Sequence, residues 1–157
     1  MVAVAEGIAS LAILPAKKGD LSALVELAAQ VHEESQWARF PLDRSRTRTL
    51  LSSLMESPDG VVLIAVEGGE RRVVASVACL VSDHPFMAVR IAIEFGVLCK
   101  SEHSGAAVAL LVRAYEDWAK KRGAVVAQIG ITDGVEQERT AQLYSHLGFA
   151  LTNVLRS

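Results

Sequence analysis

Apolar positions change their period several times along the chain, and each change marks an element. Leu21, Leu24, Val25, Leu27, Ala28 and Val31 recur at three- and four-residue intervals. That spacing puts them on one helical face and predicts a helix from about Leu21 to Glu34. Asp20 stands directly before it as a candidate N-cap. Upstream, the apolar run LAILPA contains Pro15, whose missing N–H suits an edge strand. The stretch QWARFPLD has no period and reads as a link, after which Pro41 and Asp43 open a second helix through RSRTRTLLSSLM. Its Arg44, Arg46 and Arg48 read either as a solvated face or as an anion patch.

The pattern then turns β-like. VVLIAVEGGERRVVASVACLVSDHP holds two runs rich in β-branched residues around EGGE, with Gly68 and Gly69 in the turn of a hairpin. SDHP makes a second turn, and FMAVRIAIEFGVLC is a third strand, which completes an antiparallel meander. Helical spacing returns in Val108, Leu111, Val112, Tyr115, Trp118 and Ala119. Lys120, Lys121 and Arg122 crowd the last turn, where the helix dipole is negative, and Gly123 stops it. AVVAQIGIT reads as a buried strand, DGVEQER as a polar link, TAQLYSHLG as a short helix and FALTNVL as a final strand. The order βααβββαβαβ, without linker or repeat, predicts one α/β domain over residues 1–157: a mixed sheet with helices on its faces.

Composition narrows the function. With 157 residues, 51% hydrophobic and 22% charged, the chain can bury a single core. A net charge of −2 provides no broad basic field for nucleic acid. No apolar stretch reaches the roughly 18 residues of a membrane span, and MVAVAEGIAS lacks the cationic start of a signal peptide. Cys79 and Cys99 lie in apolar runs without metal-ligand spacing. They read as reduced core residues of a cytoplasmic protein, with no metal site.

The chemistry concentrates around SEHSGAAVALL. Small residues at a helix start let an anion reach the unpaired N–H groups of the first turn, where the dipole is positive. Taken alone, these residues fit an ordinary helix start capped by Ser104 better than an anion site. The strand, loop, helix and strand around this stretch form a crossover that should be right-handed, with parallel outer strands. Gly96 and Gly130 interrupt those two strands. Each marks either packing against a large neighbour or a departure from pairing. If both are departures, the strands splay and open a slot beside the helix N-terminus.

Against this background the chain resembles the GCN5-related N-acetyltransferase (GNAT) family. The opening ILPAKKGDLSALVELA, the element order, the SEHSGAAVALLVRAYEDWAKKRGA loop and helix, and above all TAQLYSHLGF carry the resemblance. The last is similar to the family's A-x-x-L-Y-x-x-x-G-F type signature, with Tyr144, Gly148 and Phe149 in place. The family's Arg/Gln-x-x-Gly-x-Gly/Ala loop falls on Ser104 to Ala109, where only Ala109 satisfies it. Ser104 stands for Arg or Gln and Ala107 for the central Gly. Ser101 stands where a Pro is common, and Gln137 lies near an upstream Asn position.

The resemblance implies a centrally splayed mixed sheet and transfer of acetyl from acetyl-CoA, without a metal, to a primary amine of a small molecule or protein. It implies that Ser104, Gly105, Ala106, Ala107, Val108 and Ala109 hold the pyrophosphate, and that main chain at Val97, Leu98 and Cys99 faces the thioester oxygen. Tyr144 becomes the acid for the leaving sulfur, the alternative being a core tyrosine under the final strand. Glu94 becomes the candidate base, the alternative being a surface carboxylate; His84 and His103 are other bases in reach of the sequence. Glu33, Glu34 and Trp37 fall where the family walls its acceptor site, with Glu34 and Trp37 the candidate substrate contacts, or they form a solvated helix end. A homodimer fits the family. An alternative function is a GNAT-fold domain without catalysis that binds CoA or another protein.

Overall fold

The computed structural model describes residues 4–5, 10–100, 105–130 and 137–150. Six strands form one sheet in chain order: β1 (Val4–Ala5), β2 (Leu11–Pro15), β3 (Gly60–Glu67), β4 (Arg72–Asp83), β5 (Arg90–Cys99) and β6 (Ala124–Ala127). Neighbours from β1 to β5 pair antiparallel, and β5 pairs parallel with β6. The helices are α1 (Leu21–Glu34), α2 (Arg44–Glu56), α3 (Ala106–Lys121) and α4 (Gln137–His146). The meander and the β5–α3–β6 crossover therefore stand as the periodicity predicted.

Strand alternation divides the apolar side chains between two faces. Leu63, Ala65, Ala75, Val77 and Cys79 meet Leu111, Ala114, Tyr115, Trp118 and Ala119 of α3. Val62, Ile64, Val66 and Ala78 face the other way, against Leu21 and Leu24 of α1 and Leu51 and Leu54 of α2. Covered on both sides, β3 and β4 read as continuous apolar runs rather than alternating ones. Each fully buried Leu, Ile or Val contributes about 1.5–3 kcal/mol of transfer free energy.

Four boundaries differ from the sequence reading. Asp20 is not the N-cap of α1: it has helical dihedrals, and a 3-10 turn over Lys18–Asp20 leads straight into the helix. Its carboxylate instead accepts from the Lys17 N–H at 2.7 Å and from Arg71 Nη2 at 3.0 Å. The helical start thus lies one turn earlier, with Asp20 as the acid that bonds back to the cap amide. β2 is not an edge at its start, because β1 pairs there, Val4 with Ala12 and Ala5 with Leu11; Pro15 lies past that pairing. β5 begins at Arg90 rather than Phe86, which sits in a bend with 92% of its surface exposed. β6 is short and not buried: Val125 and Val126 are 65% and 50% exposed, because among the described residues only β5 flanks it. The expected final strand FALTNVL lies, beyond Ala150, outside the described residues.

Candidate active site

The site begins where two strands part. β5 and β6 pair through Arg90 with Ala124, Ile91 with Val126 and Ala92 with Ala127. The last rung is the Gln128 N–H donating to the Ala92 carbonyl at 2.9 Å. Beyond it β5 runs on to Cys99, while Gln128, Ile129 and Gly130 follow a separate course. Across the resulting split, Glu94 Oε1 accepts from the Gly130 N–H at 2.6 Å. Gly130 thus lies past the end of β6, a departure from pairing as its position suggested.

Gly96 itself stays paired, with Ala78 of β4, and borders an irregularity in that ladder. Ala78 pairs with Gly96 and Cys79 with Glu94, so Phe95 is an extra residue in a β-bulge. The inserted residue resets the alternation. Ala92 belongs to the α3-side core and Glu94 lies opposite Cys79 of that core; beyond the bulge Val97 and Cys99 pack there too. Alternation of main-chain groups then turns those of Val97 and Cys99 away from β4, toward the split. Leu98 points to the opposite face.

The first turn of α3 stands on the same side as Val97 and Cys99. Gly105 is its N-cap, with φ 96° and ψ −89°. The Ala109 N–H makes a helix bond to the Gly105 carbonyl at 2.9 Å, so the amides of Ala106, Ala107 and Val108 precede intrahelical pairing. Ala107 and Val108 turn their side chains into the core, and Ala106 is exposed. Nothing lies within 4 Å of a Cβ built on Gly105; its positive φ alone reserves the position for glycine. Ala107, by contrast, is an ordinary helical residue and requires no glycine. The departure from the family loop at Ala107 therefore imposes no backbone strain. Ser104, with Ser101 and His103, lies outside the described residues.

TAQLYSHLGF folds as a helix and its stop. The Phe149 N–H donates to the Tyr144 carbonyl at 3.0 Å and the Gly148 N–H to the Ser145 carbonyl at 3.0 Å. With Gly148 at φ 97°, this pair of bonds is a Schellman motif. Its usual apolar contact is made by the rings of Tyr144 and Phe149, 6.1 Å apart. Tyr144 is 5% exposed and clusters with Val108 and Val112, against which Val97, Cys99 and Ile129 also pack. One side chain thus joins α4, the first turns of α3 and both sides of the split.

The remaining candidates lie elsewhere. Glu34 is exposed at the end of α1, and Trp37 is half exposed in the following turns, 6.2 Å from the Phe40 ring. α1 packs on the face opposite α3 and also touches β5. His84 sits in the β4–β5 turn, its Nδ1 accepting from the Phe86 N–H at 3.1 Å, at the end of β5 where the strands are still paired. At about 3.3 Å per residue that end is remote from Val97. Both cysteines are free, as expected. Burial pushes the Cys99 thiol up to about 12 and, with the Glu94 charge adding to it, Cys79 higher still. Neither is a thiolate at neutral pH.

Among the described residues no group of His, Cys, Asp or Glu could hold a metal ion, and no helix is long and apolar enough to cross a membrane. No protein-family model and no curated sequence matches the chain. Solved structures do, and their fold is that of the GCN5-related N-acetyltransferases. The aminoglycoside 6′-N-acetyltransferase of Acinetobacter baumannii matches with TM-score 0.69 and 15% identity, over 94% of this chain and 95% of that one. An aminoglycoside acetyltransferase from an uncultured soil metagenomic sample matches with TM-score 0.67 and 21% identity, over 94% and 97%. A protein of Bacillus halodurans described as a transcriptional regulator matches with TM-score 0.73 and 19% identity, over 94% and 97%.

Proposed function

We propose that this chain is an N-acetyltransferase that moves an acetyl group from acetyl-CoA to a primary amine. The observation that carries this reading is the juxtaposition of a split sheet with a helix N-terminus whose first amides precede intrahelical pairing, joined by buried Tyr144. Full-length likeness to two aminoglycoside acetyltransferases supports a small-molecule acceptor; a protein amino group is the other acceptor of the same chemistry.

Acetyl-CoA supplies an activated thioester when bound. The amides of Gly105 to Val108, with Ser104, hold its pyrophosphate, because unpaired N–H groups at the positive end of α3 favour an anion; the Ala109 N–H, expected among them, is instead taken by the Gly105 carbonyl. Glu94 takes the proton that the amine must lose to attack. Main-chain groups of Val97 and Cys99 face the carbonyl oxygen as it gains charge, while those of Leu98, between them, turn to β4. Tyr144 holds, on its Oη, the proton that the departing sulfur requires. Glu34 and Trp37 meet the acceptor from the opposite face of the sheet, where a carboxylate suits an ammonium group.

The test is a panel of primary amines incubated with acetyl-CoA and the protein, read by release of free thiol. Thiol release that depends on the amine supports the reading. Acetyl-CoA binding without turnover on any amine favours a non-catalytic CoA-binding domain of the same fold.

A further inference from the structure

Tyr115 is the largest side chain sealed completely in the core, yet it carries a polar tip. Its hydroxyl donates to the Gln128 carbonyl at 2.8 Å. Gln128 is the residue whose own N–H makes the last rung between β5 and β6. Past that rung, among the described residues, side-chain bonds tie residues 128–130 to the rest of the site: Tyr115 to Gln128 and Glu94 to Gly130.

The helix on which Tyr115 sits matters. Ten residues of helix separate it from Gly105, about 15 Å at 1.5 Å per residue. Its hydroxyl therefore couples the rod that presents the first-turn amides to the far wall of the split. A buried phenol also holds its proton firmly: burial first, then the nearby Cys79 and Glu94, raise it well above the usual tyrosine range. It is a permanent donor, and Gln128 offers a carbonyl to match.

We propose that Tyr115 is a positioning residue that fixes the far wall of the split relative to the α3 N-terminus, so that both halves of the acetyl-CoA site are preorganised together. The proposal rests on the acetyl-CoA reading above. Without the bond, the Gln128 carbonyl loses its donor and residues 128–130 sample positions that the ligand must first order, which lowers affinity.

The test is Tyr115→Phe in the full chain, whose ring fills the same buried space. Calorimetry with acetyl-CoA should show Kd raised about five- to tenfold, and KM for acetyl-CoA should rise in step while kcat stays within about threefold. Amide exchange should accelerate in peptides covering 128–130 and not in those covering 111–121. A merely structural role gives the other pattern: a lower melting temperature and a smaller active fraction, with Kd, KM and exchange at 128–130 unchanged. That result overturns the proposal, and wild-type binding in the same experiment leaves the functional reading intact. Absence of acetyl-CoA binding by the wild-type chain sinks both.

Discussion

The Glu94 carboxylate and the Gly130 amide meet across the split at 2.6 Å, beyond the last rung that joins β5 to β6. The bond gives Glu94 a structural contact as well as its assigned proton transfer, and the two roles separate by substitution. Glu94→Gln keeps an oxygen for the Gly130 N–H and removes the basicity. It should lower kcat by about 10²–10⁴ and leave acetyl-CoA Kd within about twofold. Unchanged turnover would remove Glu94 from the mechanism.

Tyr144 is placed by a helix stop rather than by a loop. Gly148 at φ 97° and the Phe149-to-Tyr144 bond fix the end of α4 and aim the tyrosine at Val108 and Val97. Tyr144→Phe keeps the ring packing and should lose most of the turnover, with the melting temperature nearly unchanged. Gly148→Ala should act in the opposite sense, costing about 1–2 kcal/mol for an alanine forced into the left-handed region. Thermal melts and steady-state rates on the two variants check the contrast.

The two small residues at the start of α3 are not equivalent. Gly105 has φ 96°, whereas Ala107 is a buried helical residue. Gly105→Ala should strain the cap and weaken acetyl-CoA binding several-fold. Ala107→Gly, which restores the glycine of the family loop, should gain no affinity and cost about 0.5–1 kcal/mol of helix stability. Tighter binding by Ala107→Gly would show that the first turn needs freedom that this backbone does not use.

A pH-dependent contribution to stability lies away from the site. The Arg71 hydrogen bond, opposed by partial burial and aided by the Lys17 N–H, holds the Asp20 carboxyl below the ordinary aspartate value of 3.8. A depressed acid stabilises the fold above the unfolded value and loses that contribution as pH falls through the folded one. Asp20→Asn should therefore cost about 1.5–3 kcal/mol at pH 7, and its deficit should shrink between pH 4 and the acid limit. Urea titrations at pH 7 and pH 3 measure it; an equal deficit at both would contradict the ion-pair account.

The sequence displayed what local patterning controls. The α3 stripe from Val108 to Ala119, the EGGE hairpin and the LYSHLGF stop were readable because each is set by residues within a few positions. The two strand glycines pointed to the split, although not to its form. What stayed hidden depends on distant partners. Asp20 looked like a cap because its guanidinium partner lies 51 residues on. The bulge at Phe95 changes which side chains share a face, which depends on register with β4. Tyr115 read as plain core because its acceptor is a main-chain carbonyl, which no residue type announces. The two-residue β1 is too short for any period to mark.

Titration of the chain with acetyl-CoA by calorimetry tests the central claim most directly. The account predicts a saturable heat with about one ligand per chain and weaker binding in Gly105→Ala. No heat at millimolar acetyl-CoA would contradict it.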